Sequence, residues 1–328
     1  MVLSTAIVNR LSAPIKHWFW KTQIGVLRAC PPLLGVVSKV SLNAYKSRRL
    51  WLQTITRTAG QVPRALRLHR RDKQAGRIVL PRISIVVTTR CTNNRDKCAL
   101  HIPDLKCHAD LHKDTLLRDI QRLFACVDEI YDVNLTGGEA FLHPDLHEII
   151  RAFARPGKVS AIDITTNGTV IPNEMVLMAL KEANVTVKVT KYPEALQPDV
   201  EKLKSVLQKN GINYMHDSGS YWNDTGAFGQ LQDGSGKQRF SVCVQQLCLV
   251  YFKGKLHLCA QSAAMVDEGL IGDCKEDYID LRELPPAAFR QQLRRLQKKR
   301  DISACAYCLG HTYTSPRVSV GEQRGAKS

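Results

Sequence analysis

Apolar residues recur along the middle of the chain as short β-branched runs separated by helical stripes. Ile83, Ile85, Val86 and Val87 form a run bounded by Pro81 and by Arg90-Cys91, the pattern of a buried strand ending in a loop. Asp114 is placed to cap a helix with Leu116, Leu117, Ile120, Leu123 and Phe124 on one face. A strand follows over 130–136, carrying Ile130, Val133 and Leu135. Pro144 opens a helix whose face is Leu146, Ile149, Ile150 and Phe153. The run continues with a strand over 159–166, a helix over 172–183 and an alternating strand over 185–190. A helix over 199–210, closed by Gly211, and a short strand over 212–215 complete it. Five strands alternating with four helices predict βαβ units on a parallel sheet, so the class is α/β and the architecture an open, partial (β/α) barrel. Functional side chains then belong at the C-terminal ends of strands, where Cys91, Glu139, Asn167 and Thr190 stand.

Three of those strand ends carry candidate chemistry. The first runs into a loop that opens on Cys91 and closes on Cys98. The second ends in Asn134-Leu-Thr-Gly-Gly-Glu139 and the third in Asp163-Ile-Thr-Thr-Asn-Gly168. Gly137 and Gly138 allow a close backbone approach to a ligand, and Glu139 and Asn167 can bond it. The segment 216–237 is rich in Gly, Ser and Asp and reads as a long loop, with Tyr221 and Trp222 placed to cover the barrel mouth.

Beyond residue 235 the pattern changes. Cys248 to Cys259 reads as a β-hairpin turning at Lys253-Gly254. Cys259 leaves its second strand, and Cys243 and Cys248 flank its first. A helix over 284–299, with Phe289, Leu293 and Leu296 inward, leads to Cys305-Ala-Tyr-Cys308. A C-x2-C pair turns two thiolates toward one centre and is a good half-site for zinc or for iron–sulfur. The hairpin supplies the other half, with Cys243 and Cys248 competing for one ligand position and Cys274 left as a spare thiol.

Taken together, Thr88-Thr89-Arg90-Cys91 with Cys98, Thr136-Gly-Gly-Glu-Ala-Phe-Leu-His-Pro-Asp145 and Thr165-Thr-Asn-Gly168 resemble the radical S-adenosylmethionine (SAM) enzymes. The resemblance implies a (β/α)6-type open barrel, a 4Fe–4S cluster on cysteines spaced C-x3-C-x2-C, and SAM chelating the fourth iron. It places Gly137, Gly138, Glu139, Asn167 and Thr190 in contact with SAM, with Tyr192 beside Thr190. Counting from Cys91, the family's middle cysteine falls on Arg95 and its third on Cys98. A guanidinium has no lone pair for iron. Cys107 could loop back as the missing ligand, and His101, His108 and His112 lie nearby. The C-terminal module resembles the twitch/SPASM-like auxiliary-cluster domain that follows such barrels, and Cys243, Gly254 and Cys259 fit its spacing. The metal ligands so implied are Cys91, Cys98 and Cys107 in the barrel and Cys243 or Cys248, Cys259, Cys305 and Cys308 in the module.

Charge alters this picture only at one end. The net charge is +17, and residues 1–80 hold fifteen Lys/Arg against Asp72 alone. That segment carries +14, so the body is near neutral. Lys16-His-Trp-Phe-Trp-Lys21 interleaves aromatics with cations, which suits a membrane surface and anionic lipid. No nucleic-acid-binding motif is present, and a helical arm packed on the barrel is the plainer reading. Eleven cysteines, no secretory signal and no long apolar stretch fit a reducing cytoplasm, with the chain peripheral to a membrane at most.

The chain thus divides into a basic, mainly helical extension (1–80), a radical SAM-like barrel (81–235), an auxiliary iron–sulfur hairpin/helix module (236–312) and a flexible tail (313–328). The expected function is reductive cleavage of SAM to a 5′-deoxyadenosyl radical, which abstracts hydrogen from a peptide, sugar or lipid-linked substrate. A flavodoxin or ferredoxin would supply the electron. The alternative is a degenerate SAM-barrel pseudoenzyme, a metal-stabilised binding or assembly protein, and Arg95 favours it.

Overall fold

The computed structural model describes residue 21 and residues 74–216, 222–272, 274–312 and 314–324. Nearly all of the basic extension lies outside the described residues, as does Tyr221. Among the described residues no helix is long and apolar enough to cross a membrane.

In chain order the elements are β1 (Val79–Leu80), β2 (Ile83–Thr88), α1 (Lys113–Cys126), β3 (Glu129–Ile130), β4 (Val133–Gly137), α2 (Leu146–Phe153), β5 (Ile162–Thr166), α3 (Glu174–Glu182), β6 (Thr186–Val189), α4 (Val200–Lys209) and β7 (Tyr214–His216). There follow β8 (Trp222–Asn223), α5 (Gly236–Val242), β9 (Leu249–Phe252), β10 (Lys255–His257), α6 (Ala260–Asp267), β11 (Tyr278–Asp280), α7 (Pro286–Lys298) and β12 (Arg317–Val318).

One eight-stranded sheet has the order β11-β10-β9-β2-β4-β5-β6-β7. From β9 through β7 its neighbours pair in parallel, and β10 and β11 add an antiparallel edge. The β-branched run in β2 explains its central place. Ile83, Ile85 and Val87 pack in one core with Leu116, Ile120 and Leu123 of α1, while Val86 packs on the other side with Val250, Phe252 and Ala263. A strand covered on both faces needs apolar residues at consecutive positions, not alternate ones.

Four boundaries differ from the sequence expectation. The body begins before residue 81: Leu80 is fully buried, and β1 pairs with β3. Asp114 is not the cap of α1; His112 holds that position without a side-chain bond, and Asp114 sits in the first turn, where its charge suits the helix dipole. The C-terminal hairpin does turn at Lys253-Gly254, both with positive φ. It is not a separate layer, however, because β9 pairs in parallel with β2 and extends the barrel sheet. Finally, the segment over 314–324 is docked. β12 pairs with β8, and the backbone of residues 322–324 bonds that of residues 94–96. Short polar segments of this kind carry no periodicity, so their pairing is invisible in sequence.

Candidate functional site

The C-terminal ends of β2, β4, β5 and β6 meet as expected, and the diglycine explains how. Gly138 N donates to Thr88 O at 3.0 Å, and Glu139 N donates to Arg90 O at 2.8 Å. A Cβ at Gly137 or Gly138 would stand 2.1 Å from the carbonyl oxygen of Thr88 or Arg90 respectively. These glycines therefore let β4 close on the loop entering Cys91, so the close approach is between two backbones of this chain.

Glu139 is 0% exposed. Its carboxylate accepts from Phe141 N at 3.1 Å, Thr166 Oγ1 at 2.8 Å and Asn167 N at 2.7 Å. Burial raises its pKa against these three bonds. Asn167 Nδ2 donates to Thr92 Oγ1 at 2.8 Å and stands 3.8 Å from Cys91 Sγ. Half-buried Thr190 bonds through its backbone: its N donates to Thr166 O, and its O accepts from Gln197 Nε2.

Arg95 sits among the barrel thiols. Its Nη2 lies 4.0 Å from Cys98 Sγ, and its Nη1 donates to the hydroxyl of buried Tyr192. The guanidinium lies 5.2 Å from the ring centroids of both Tyr192 and Trp222, and Nε is buried without an acceptor. Burial pushes the Cys91 thiol up, and the Arg95 charge partly counters it. Trp222 does lie at the mouth, edge-on to Tyr192, as the long-loop reading expects.

Cys107 is exposed. Its loop is nevertheless tied to the one entering Cys91: Thr88 bridges Asp110, and Thr89 Oγ1 donates to Cys107 O at 3.3 Å. His101 is occupied by Asp104 and Gln261, His108 Nδ1 is 3.1 Å from Thr89 O, and His112 holds the N-cap position of α1 without a side-chain bond. Among the described residues, no three His, Cys, Asp or Glu side chains are grouped to hold one metal ion.

The C-terminal thiols are arranged differently. Cys243 ends α5, Cys259 caps α6, and Cys305 lies within the turn over 303–307 after α7, which Cys308 closes. All four line one cavity. Burial, with the neighbouring thiols adding to it, pushes Cys305 up to about 12, Cys308 up to about 11 and Cys259 well above its ordinary value. Cys248 is not with them. Its Sγ stands 3.5 Å from Ser84 Oγ, at the opposite end of β2 and near Arg82. Of Cys243 and Cys248, only Cys243 lines this cavity, because Cys248 directly precedes β9, whose first residue Leu249 pairs with Ile83 at the start of β2. Cys274 packs against the core. Arg239 and Gln261 also line the cavity and had no signal in the sequence; isolated polar residues on short helices carry no pattern.

No family model and no curated protein match this chain. Similar solved structures include native anSMEcpe with bound AdoMet, at 17% identity over 42% of this chain and 43% of that one, with a TM-score of 0.34. Streptococcus suis SuiB bound to S-adenosylmethionine is 14% identical over 49% of this chain and 39% of its own, with a TM-score of 0.36. BtrN in complex with AdoMet and 2-DOIA is 16% identical over 70% of this chain and 92% of its own, with a TM-score of 0.38. The chain spans less than half the length of the first two.

Proposed function

We propose that this chain is a radical SAM-type protein with one working metal centre, an iron–sulfur cluster held by Cys243, Cys259, Cys305 and Cys308, and with no radical generator in its barrel. The observation that carries the reading is the guanidinium of Arg95 at the barrel thiols, held by Tyr192 and Trp222. A 4Fe–4S cluster at that place needs a third thiolate, and a cation with no lone pair takes its position. The barrel residues do not fit the group, so no SAM cleavage follows from them. SAM binding would then rest on Gly137, Gly138, Glu139, Asn167 and Thr190 without a cluster to chelate.

The C-terminal cavity does fit. Four thiols share it, and the side chains of Arg239 and Gln261 present unmet donors among its walls. Four cysteines on one cavity are the ligand set of a 4Fe–4S cluster. A cluster with every iron ligated by protein supplies one-electron exchange and leaves no open site for substrate. The chain's own part is to bury the thiols, exclude water and join the two halves of the site across α5, α6 and the turn after α7. A flavodoxin or ferredoxin is the class of electron partner. The resulting function is that of a metal-stabilised binding or electron-carrying protein.

A second reading, a radical enzyme acting on a peptide, sugar or lipid-linked molecule, is favoured by the tether that holds the Cys107 loop against the Cys91 loop. Anaerobic reconstitution separates the two. The first reading expects about four irons per chain and no 5′-deoxyadenosine from SAM under reduction. About eight irons with 5′-deoxyadenosine released would overturn it.

A further inference from the structure

Two side chains that line the thiol cavity carry donors that nothing among the described residues accepts. Arg239 is anchored at one nitrogen: Nη1 donates to Asp233 Oδ1 at 2.5 Å and to Ser235 Oγ. Its Nε and Nη2 are buried without an acceptor. Gln261 is anchored at one end of its amide, where Oε1 meets His101 Nε2, and His101 Nδ1 meets Asp104 at 3.1 Å. Its Nε2 is also buried without a partner. Both side chains line the cavity shared by Cys243, Cys259, Cys305 and Cys308.

A buried donor left unmade is destabilising, and more so when it is charged. Three such atoms on two side chains that line one cavity point to a missing acceptor. A neutral thiol is a weak one. Thiolate and sulfide sulfurs of a cluster on four cysteines are stronger, because the assembly is anionic. The anchors also fit this role, since each fixes its side chain at the far end and leaves the donors turned from it. His101 is itself set by the barrel loop, as its N donates to Cys98 O at 2.9 Å.

We propose that Arg239 and Gln261 donate to the sulfurs of the C-terminal cluster and raise its reduction potential. The inference rests on the reading of this cavity as an iron–sulfur site. Hydrogen bonds to cluster sulfurs favour the more negative, reduced state, so removing a donor lowers the potential. Gln261→Glu keeps the shape and an oxygen acceptor for His101 but replaces the Nε2 donor. Arg239→Met removes the charge and both free donors. Neither position is one of the four ligands.

The test uses the full chain, reconstituted anaerobically with iron and sulfide and titrated by redox potentiometry with electron paramagnetic resonance. Wild type and both variants are expected to hold the same iron, with the potential shifted down in each variant and furthest in Arg239→Met. Equal iron with an unchanged potential in both variants overturns the proposal and leaves the cluster assignment standing. A wild type that takes up no iron overturns the cluster assignment, and the proposal with it. Should Arg239→Met fail to fold by circular dichroism, Gln261→Glu decides. A folded variant that takes up no iron, beside a loaded wild type, overturns the proposal, because that side chain then holds the cluster in place and does not tune its potential.

Discussion

The guanidinium of Arg95 lies 5.2 Å from the ring centroid of Tyr192 and donates through Nη1 to that residue's hydroxyl. One side chain thus stands beside the Cys98 thiol and locks the aromatic pair at the barrel mouth, since Trp222 packs edge-on to Tyr192. Arg95→Cys should have two separable effects. It supplies a third thiol, so bound iron should rise from about four to about eight per chain, with SAM cleavage detectable as 5′-deoxyadenosine. It also removes cation–π contacts to two rings, each about 0.5–2 kcal/mol, so the metal-free chain should unfold at lower urea. Unchanged iron beside lower stability would mean that the barrel is dead for a reason other than Arg95.

Cys243 and Cys248 stand close in sequence and apart in space. Cys243 ends α5 at the cavity, whereas Cys248 Sγ sits 3.5 Å from Ser84 Oγ at the start of β2. Cys243→Ala is therefore expected to lose most of the reconstituted iron, and Cys248→Ser to keep it. Iron and sulfide assays on the two proteins decide this. Full loss in Cys248→Ser with full retention in Cys243→Ala would reverse the assignment.

The sequence showed much of this, for physical reasons that can be named. Periodicity located the parallel strands because β2 is a buried apolar run while β4 and β5 alternate Val133 and Leu135, and Ile162 and Ile164, with polar residues, and the Lys253-Gly254 turn declared itself through chemistry that tolerates positive φ. Spacing could not show that β9 pairs with β2, since strand neighbours far apart in sequence are chosen by tertiary packing. Nor could it separate Cys243 from Cys248. The diglycine was visible, but its role was not. Only the positions of Thr88 O and Arg90 O show that the close approach is between two backbones.

Glu139 tests whether that junction is structural. Its carboxylate accepts from Phe141 N, Thr166 Oγ1 and Asn167 N, and it has no exposed surface. Glu139→Gln puts an amide N–H₂ against donors where a carboxylate oxygen stood. A loss of about 2–3 kcal/mol in unfolding free energy is expected, the scale of a broken charge-assisted bond with a buried donor left over. Urea denaturation measures it. A loss below about 0.5 kcal/mol would mean that the buried carboxylate is not holding β4 to β5.

The buried thiols give the metal-free chain a pH signature. Cys305 is pushed up to about 12 and Cys308 up to about 11 by burial and by neighbouring thiols, while an unfolded thiol titrates near about 8.5. The unfolded chain then releases protons that the folded one keeps. Stability from these groups is fully present below about pH 8.5 and is lost as pH rises toward the folded values. The urea midpoint of metal-free protein should fall between pH 8 and 10.5, about 1.4 kcal/mol per pH unit for each thiol involved. Loaded protein holds its cysteines as ligands in the fold and should not show that slope. A flat profile in the metal-free chain would argue that the cavity thiols are already solvated.

The docked segment around Gly321 offers the last test. Gly321 has φ +80, and a Cβ there would stand 2.6 Å from Tyr192 Cδ1. Next to it, Asp96 N donates to Glu322 O and Arg324 N donates to Asn94 O, each at 2.8 Å, and Arg324 pairs with Asp104 at 2.5 Å. These bonds lay the tail across the loop that carries Arg95, so its docking and the closure of the barrel mouth depend on one small residue. Gly321→Val adds both a clash and a strained φ, the latter on the order of 1–3 kcal/mol. With about 1.4 kcal/mol per tenfold, trypsin should cut after Arg317 and Arg324 at least about tenfold faster than in wild type. Iron at the four C-terminal cysteines should be unaffected, because Gly321 touches Tyr192, Pro193 and Leu196 and none of those thiols. Cleavage at the wild-type rate would show that the tail does not depend on the contact between Gly321 and Tyr192.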